Sequence, residues 1–437
     1  MNSLMTIPVE VAHQALSFCA AWDIVAFART CHLAHALALE STGQPFWRDV
    51  FCTSHFDDPR NAWRLPGDTP TDIDWRDELQ QRLSAELLAA RPKRLDNSEA
   101  YEAMLAALIR VLHDIVPLSA DQPESLNVAW LDKLLKYPGL LNDDVSRLSP
   151  AGQRLHALLR AYTGHVFDES TPENSLRYRR SVSRTYAYDM RNYTRANTWA
   201  PLAPATGHVD WVHLDHIATV VVSNVRDVPF LGEDQIPPLG LQHARAYTAP
   251  GEFSKRDWAG VEGTWRRYVC FMDYRELAAF NTPLFAEGAR DLSFFDRPAF
   301  REAVRLLSVD IRIIECEELE AEMPEFIGVY DEPPPDFPYP PIYFEGHSET
   351  ADGGHLHLEG CVMMGIDGTV RWYFVSSLGG EYQWSSRGVQ IGGIGSATGV
   401  VGVWTTTTHE AGDPAGPYWQ WKVPSEDPEY APLLDRV

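Results

Sequence analysis

Two histidines and a glutamate occupy alternate positions near residue 357, in the run His355-Leu-His357-Leu-Glu359. On a β-strand, residues two and four apart point to the same face. Two imidazoles and a carboxylate on one face can ligate Zn²⁺ or Fe²⁺. The same alternation is typical of a strand whose polar face meets solvent. We favour the solvent-face interpretation and predict neither a metal site nor a cofactor.

Other motifs with catalytic meaning are incomplete. Gly393, Gly395 and Gly399 miss the dinucleotide-binding spacing by one residue and do not follow a βαβ pattern. Ser396 lacks the glycine two positions earlier that a nucleophile elbow needs, because Ile394 stands there. The chain contains no phosphate-binding loop and no HExxH run. We therefore predict that the protein is not an enzyme.

Composition and charge indicate a globular intracellular protein. The 437 residues are 45% apolar and 22% charged, with a formal net charge of −24. This length predicts two or three domains, and the acidic surface argues against nucleic acid or a membrane as a partner. The sequence shows no apolar run long enough for a membrane span and no secretory signal pattern. Six scattered cysteines predict reduced thiols in the cytoplasm or nucleus.

A basic run stands out against this acidic background. Arg177, Arg179, Arg180 and Arg184 lie within eight positions of each other. Arginines in such a run can bind a phosphorylated peptide through bidentate contacts. A solvated face is the simpler interpretation, and we favour it.

Residue spacing divides the chain into three segments. In residues 53–170, Trp75, Leu79, Leu83 and Leu87 recur at a helical interval. Beyond residue 170, short β-like runs predominate, and Asp367-Gly368 between two such runs is a strong hairpin signal. We predict an α+β fold with three helices in residues 1–52, a helical linker in 53–170, and an antiparallel β-rich barrel or sandwich in 171–437.

The N-terminal segment is a short apolar helical unit. About 45 residues with this much apolar content cannot bury it all alone, so we expect a face left for a partner. The landmarks of the segment are Ile7-Pro8, Glu10, Leu16-Ser17-Phe18, Asp23-Ile24, Cys31 and Trp47. In type and order they resemble the F-box family, although Cys19 and Ala20-Ala21 stand where that family often has leucine and proline.

This resemblance implies that the segment docks on the Skp adaptor of an SCF ubiquitin ligase, which is assembled on a cullin scaffold. Carried over by position, the implied apolar contacts are Ile7, Pro8, Val11, Leu16, Ile24, Val25 and Phe27. The alternative is a helical subdomain that only packs on the rest of the chain.

The C-terminal segment is also similar to the C-terminal region of fungal-type F-box proteins. The similar pieces include 367–372, 388–396, 402–405 and 413–419. The resemblance implies a β-domain that recruits a protein substrate. Trp372, Trp384 and Trp404 are candidate pocket anchors, and an ordinary barrel core is the alternative for each.

Together these features predict a substrate-recognition subunit of an SCF-type E3 ubiquitin ligase. Such a subunit holds its substrate near the conjugating enzyme and performs no chemistry itself. Two alternatives remain: a β-barrel that binds a small molecule above a merely structural helical bundle, and a metal-dependent barrel that uses His355 and His357.

Overall fold

The structure is a computed structural model, and the chain folds into two compact units, Met1–Leu155 and His156–Val437. The described residues are 7–424 except 41, 55, 138, 143, 164–172, 229–231, 233–234, 283–287, 298–299, 320, 322–335, 350–354 and 411. The boundary predicted at residue 170 lies outside them. Among the described residues, no helix has the length and apolar character needed to cross a bilayer.

The first unit is helical, as predicted, but residues 9–54 form four α-helices where three were predicted for residues 1–52. Its α-helices are α1 (Val9–Ser17), α2 (Ala21–Ala28), α3 (His32–His35), α4 (Gln44–Ser54), α5 (Trp75–Ala89), α6 (Ser98–His113), α7 (Leu126–Leu135) and the beginning of α8 (Pro150–Tyr162). The carboxylate of Asp74 caps α5 and the hydroxyl of Ser125 caps α7, each accepting a backbone N–H from the first turn.

The four-residue spacing on α5 does not correctly predict which of its side chains are buried in the core of this unit. Trp75 and Leu79 are buried, but Leu83 is half-buried and Leu87 is exposed. A helix has 3.6 residues per turn, so a strict four-residue repeat drifts off the core face. Arg82 takes the buried position instead, with its guanidinium 4.7 Å from the ring centroids of both Phe51 and Phe56.

The second unit contains three further helices before or between its strands. They are α9 (Glu173–Ala187), α10 (Trp211–Arg226) and α11 (Tyr274–Asn281), and they lie in the segment predicted to be β-rich from residue 171. In α10, the run Val220–Val222 resembles a strand by composition. Asp210 nevertheless caps this helix, and burial on nearly every side removes the amphipathic pattern that would have revealed it.

The strands of the second unit close into an antiparallel barrel in simple chain order, which settles the predicted choice between barrel and sandwich. They are β1 (Gly263–Met272), β2 (Glu302–Ile314), β3 (Ile342–Glu349), β4 (His355–Met364), β5 (Val370–Leu378), β6 (Tyr382–Gln390), β7 (Val400–Thr406) and β8 (Ala415–Lys422). The predicted hairpin is confirmed: Met364 pairs with Val370 across the Asp367-Gly368 turn, where Gly368 has a φ of 73°.

Contacts across the barrel identify its inner face. Trp265 on β1 meets Trp372 on β5, and Arg267 on β1 reaches Ser386 on β6, although neither pair of strands is adjacent. Residues paired directly with these, or two positions along a strand, therefore also point inward. The opposite face of each strand points outward, and the alternation is interrupted where β5 and β6 shift register between Ser376 and Ser377.

One end of the barrel is covered by chain. The Gly393 N–H donates to the carbonyl of Ala244 at 2.8 Å, and the Tyr247 N–H donates to that of Ile394 at the same distance. Gly392 permits this close packing, since a Cβ there would lie 2.4 Å from the Ala244 carbonyl oxygen. At the other end, Ala303 and Arg305 of the inner face are exposed. We call this end the barrel mouth.

Candidate functional site

The N-terminal helices carry the seven residues predicted to contact an adaptor, and the structure divides them into two groups. Ile7, Pro8, Val11 and Val25 are exposed, and Phe27 is half-buried. The exposed fraction reaches 55% for Val11 and 39% for Val25. These five side chains are accessible to a partner in the chain as folded.

The remaining two belong to the core instead, which corrects the prediction for them. Leu16 is 9% exposed and Ile24 is fully buried. Helix α1 packs on α4, and α2 packs on the wide helical turn Ala36–Glu40. Leu16 and Ile24 point towards these neighbours together with Ala12 and Ala28. A family motif includes both the core residues and the partner-contact residues of a small helical unit. The motif alone therefore does not show which of its positions are buried.

Four further apolar side chains in this region are exposed and were not among the predicted contacts. They are Val9, Phe18, Trp22 and Leu33, with exposed fractions between 46% and 68%. Helical spacing could have found one of them, because Trp22 and Val25 lie three residues apart on α2 and so share a face. Ile24 belongs to the opposite stripe with Ala21 and Ala28.

The three tryptophans predicted to anchor a ligand differ in how deeply they are buried. Trp372 is fully buried and packs between Trp265 and Phe344, so it belongs to the barrel core. Trp384 and Trp404 are half-buried on the inner face near the mouth, with ring centroids 5.3 Å apart in an edge-to-face arrangement. The indole N–H of Trp404 donates to the Cys270 carbonyl at 2.9 Å. These two tryptophans remain candidates for a binding site.

Deeper on the inner face, a buried arginine meets aromatic rings rather than a carboxylate. The Arg267 guanidinium lies 4.7 Å from the Phe374 centroid and 4.5 Å from that of Tyr418, and it donates to the Ser386 hydroxyl at 2.8 Å. Its Nε and the Tyr418 hydroxyl have no hydrogen-bond partner in the structure. Burial lowers the pKa of Arg267 to about 10, and the side chain stays charged at neutral pH.

The outer face of β3 and β4 carries four potential metal ligands. His347 pairs directly with His357, and Glu345 pairs directly with Glu359. The two imidazoles stack at 4.8 Å between centroids, 7° from parallel. The predicted run on β4 thus contributes His357 and Glu359, but His355 is not part of the group whose ligand atoms converge, which is Glu345, His347 and His357. The spacing of Glu345 and His347 on β3 is the signal that sequence reasoning missed.

The basic run on α9 is largely satisfied within the second unit. Arg177 pairs with Asp296, Arg180 with Asp227, and Arg184 with Glu302. The third of these pairs is almost completely buried. The buried charge of Arg184 is therefore not available to a phosphorylated peptide, whereas the exposed pair of Arg177 is weak.

We compared the chain with protein-family models, with curated proteins and with solved structures, and none of them matched it.

Proposed function

We propose that this chain is the substrate-recognition subunit of an SCF-type ubiquitin ligase. Its N-terminal helices dock on the Skp adaptor and its barrel recruits a protein substrate. The observation that carries the proposal is a concentration of exposed apolar side chains. Of the thirteen large apolar side chains exposed among the described residues, seven lie between Ile7 and Leu33. An apolar surface on so small a unit favours a protein partner.

The F-box resemblance of the same residues supports the choice of partner. Ile7, Pro8, Val11 and Val25 match positions that the family uses for docking, and all four are exposed. Fully burying an aliphatic side chain contributes about 1.5–3 kcal/mol, so half-exposed valines and isoleucines contribute on the order of 1 kcal/mol each. Several such contacts together are needed to offset the cost of association.

The substrate end of the proposal rests on the barrel mouth. Trp384 and Trp404 present half-buried aromatic faces there, and tryptophan is enriched among residues that dominate protein interfaces. In this scheme, no residue of the chain carries out chemistry. The chain increases the effective concentration of substrate lysines near the conjugating enzyme that the cullin scaffold holds.

A pull-down with the Skp adaptor tests the docking step. The full chain should retain the adaptor, and Val11→Asp should abolish retention because it places a charge in an apolar contact. Leu87→Asp is the matched control: Leu87 is an apolar helical residue of the first unit, on α5, and its exposed fraction of 48% is close to the 55% of Val11. Equal retention by wild type and Val11→Asp would refute the proposal.

A small-molecule-binding barrel is the second candidate, and Arg267 favours it. A buried guanidinium that has no carboxylate partner among the described residues, beside an unpaired tyrosine hydroxyl, suits the anionic end of a small apolar ligand. An anionic naphthalene-sulfonate dye should gain fluorescence with the wild-type chain and not with Arg267→Met. Arg266→Met, at the next position on the outer face, should behave as wild type. Equal fluorescence with all three proteins would exclude this candidate.

A further inference from the structure

Four polar residues form a square on the outer face of the barrel. Directly paired residues of adjacent antiparallel strands have Cβ atoms about 5 Å apart, and residues two apart on one strand share a face. Glu345 and His347 on β3 therefore stand opposite Glu359 and His357 on β4. The register of the two strands alone therefore brings the two carboxylates and the two imidazoles together on one face.

In this group of four residues, the Nε2 atoms of the two histidines point towards the glutamate carboxylates. His347 Nε2 lies 3.2 Å from a Glu345 carboxylate oxygen. His357 Nε2 lies 4.0 Å from the other oxygen of Glu345 and 3.9 Å from Glu359 Oε1. The ligand atoms of Glu345, His347 and His357 all fall within 4.8 Å of each other. Both imidazoles thus aim the same nitrogen at one region between the strands.

The environment of His357 adds a second observation. Its Nε2 atom is buried from solvent and has no hydrogen-bond partner in the structure, although the side chain as a whole is 31% exposed. Glu359 is only 2% exposed, and its Oε2 accepts the backbone N–H of Ala321 at 2.9 Å. That hydrogen bond fixes the Glu359 carboxylate beside the imidazole, as outer-shell contacts do in metal sites.

We propose that Glu345, His347 and His357, with Glu359 beside them, form a binding site for one divalent transition-metal ion of the Zn²⁺ class. Imidazole and carboxylate are the donor set that zinc accepts, and three protein ligands leave a position for water. Ligand atoms 2.0–2.1 Å from a tetrahedral ion lie about 3.3 Å apart. His357 must therefore move inward by about 1 Å, a small side-chain rotation.

Arg312 competes with the metal for this site. Its guanidinium is hydrogen-bonded to Glu345 and is 59% exposed. An exposed ion pair is weak, so the arginine can be displaced into solvent. Removing it should strengthen metal binding, whereas it would weaken a cluster held together by ion pairs alone. Tighter Zn²⁺ binding in Arg312→Gln is therefore the result that a metal site predicts and that a cluster of ion pairs does not.

Titration of the metal-stripped full chain with Zn²⁺ against a chromophoric chelator tests the proposal. We expect one ion per chain, at least a hundredfold weaker binding in His347→Ala and in His357→Ala, and severalfold tighter binding in Arg312→Gln. His355→Ala is the matched control, since His355 lies on the same face of β4 outside the square, and it should bind as wild type. The Co²⁺-loaded chain should lack the near-ultraviolet band of thiolate ligation, because no cysteine is a ligand.

Unchanged thermal unfolding of the apo His347→Ala and His357→Ala variants shows that their loss of affinity is not a loss of fold. The proposal is overturned if stoichiometric binding survives in both histidine variants, or if the wild-type chain binds Zn²⁺ no tighter than about 1 mM. It does not depend on docking to an adaptor, so the two proposals can fail separately.

Discussion

The N-terminal helices and the barrel place apolar and charged side chains in opposite ways. Helices α1 to α3 leave Val11, Phe18 and Trp22 exposed. The barrel encloses Arg267 among aromatic rings and buries Trp372 completely. A few short helices have too little interior for their apolar content, whereas eight closed strands have an interior large enough for side chains and a polar group.

This difference separates two kinds of binding. An exposed apolar surface on a small helical unit gains by being covered, so it favours another protein. A closed barrel offers its inner face and mouth, so it favours a ligand or a peptide that enters. The first two of the following predictions each compare a fully buried position with a more exposed one, and the other two concern single buried residues.

The largest effect is expected within the barrel, between two tryptophans of its inner face. Trp372→Ala removes a fully buried indole and should lower the free energy of unfolding by about 3–5 kcal/mol. Trp384→Ala, at the mouth, should cost about 1 kcal/mol, because its ring is partly in solvent already. Urea denaturation followed by circular dichroism measures both. Similar losses would mean that the mouth is as tightly packed as the interior.

Adjacent residues of α2 provide the corresponding comparison in the helical unit. Ile24→Ala should cost about 2–4 kcal/mol, because Ile24 is fully buried. Val25→Ala should change stability by less than about 0.5 kcal/mol, because Val25 faces solvent. The midpoints of urea unfolding report the difference. If Val25→Ala proved as costly as Ile24→Ala, this face of α2 would already be covered by the chain itself.

Acid should destabilise the second unit through His213 of α10. Burial lowers the pKa of His213 to about 4, while an imidazole in the unfolded chain titrates near 6.5. Below pH 6.5 the His213 imidazole binds a proton in the unfolded chain but not in the folded chain. The contribution of His213 to stability is therefore complete above pH 6.5 and is lost progressively as the pH drops towards 4.

Replacement of His213 isolates this contribution. His213→Gln cannot titrate, so its unfolding free energy should depend less steeply on pH between 6.5 and 4 than that of the wild-type chain. Urea denaturation at a series of pH values gives both slopes. Identical slopes would show that other groups cause the acid sensitivity.

A smaller effect, of opposite sign, is expected at Arg267. Arg267→Met replaces a buried charge, which has no carboxylate partner in the part of the chain that the structure describes, by an apolar side chain of similar length. Such replacements are often neutral or stabilising by about 1–3 kcal/mol. A higher urea midpoint in Arg267→Met would indicate that the arginine is kept for binding rather than for stability. A large loss would assign it a structural role.

Sequence reasoning predicted the architecture better than the location of helices within it. The Asp367-Gly368 turn and the alternation around it predicted a hairpin because turn geometry is local. Helix α10 lies in the segment predicted to be β-rich, because burial against its neighbours leaves its sequence without a clear helical pattern. The closing of β8 on β1 is a long-range pairing that no local signal encodes.

The candidate sites were predicted only in part, for related reasons. A one-strand pattern identified His357 and Glu359, but their partners Glu345 and His347 come from the register of β3 with β4. The adaptor-contact residues were predicted as one set, yet Leu16 and Ile24 face inward while Val11 and Val25 face outward. Helical phase, not residue type, decides which face each occupies.

Isothermal titration of the full chain with the purified Skp adaptor tests the central claim most directly. We predict one-to-one binding with a negative heat-capacity change, because apolar side chains of α1 to α3 become buried. Val25→Asp should weaken the affinity at least tenfold, and Leu87→Asp should leave it unchanged. The absence of binding, or equal affinities for wild type and Val25→Asp, would contradict the account.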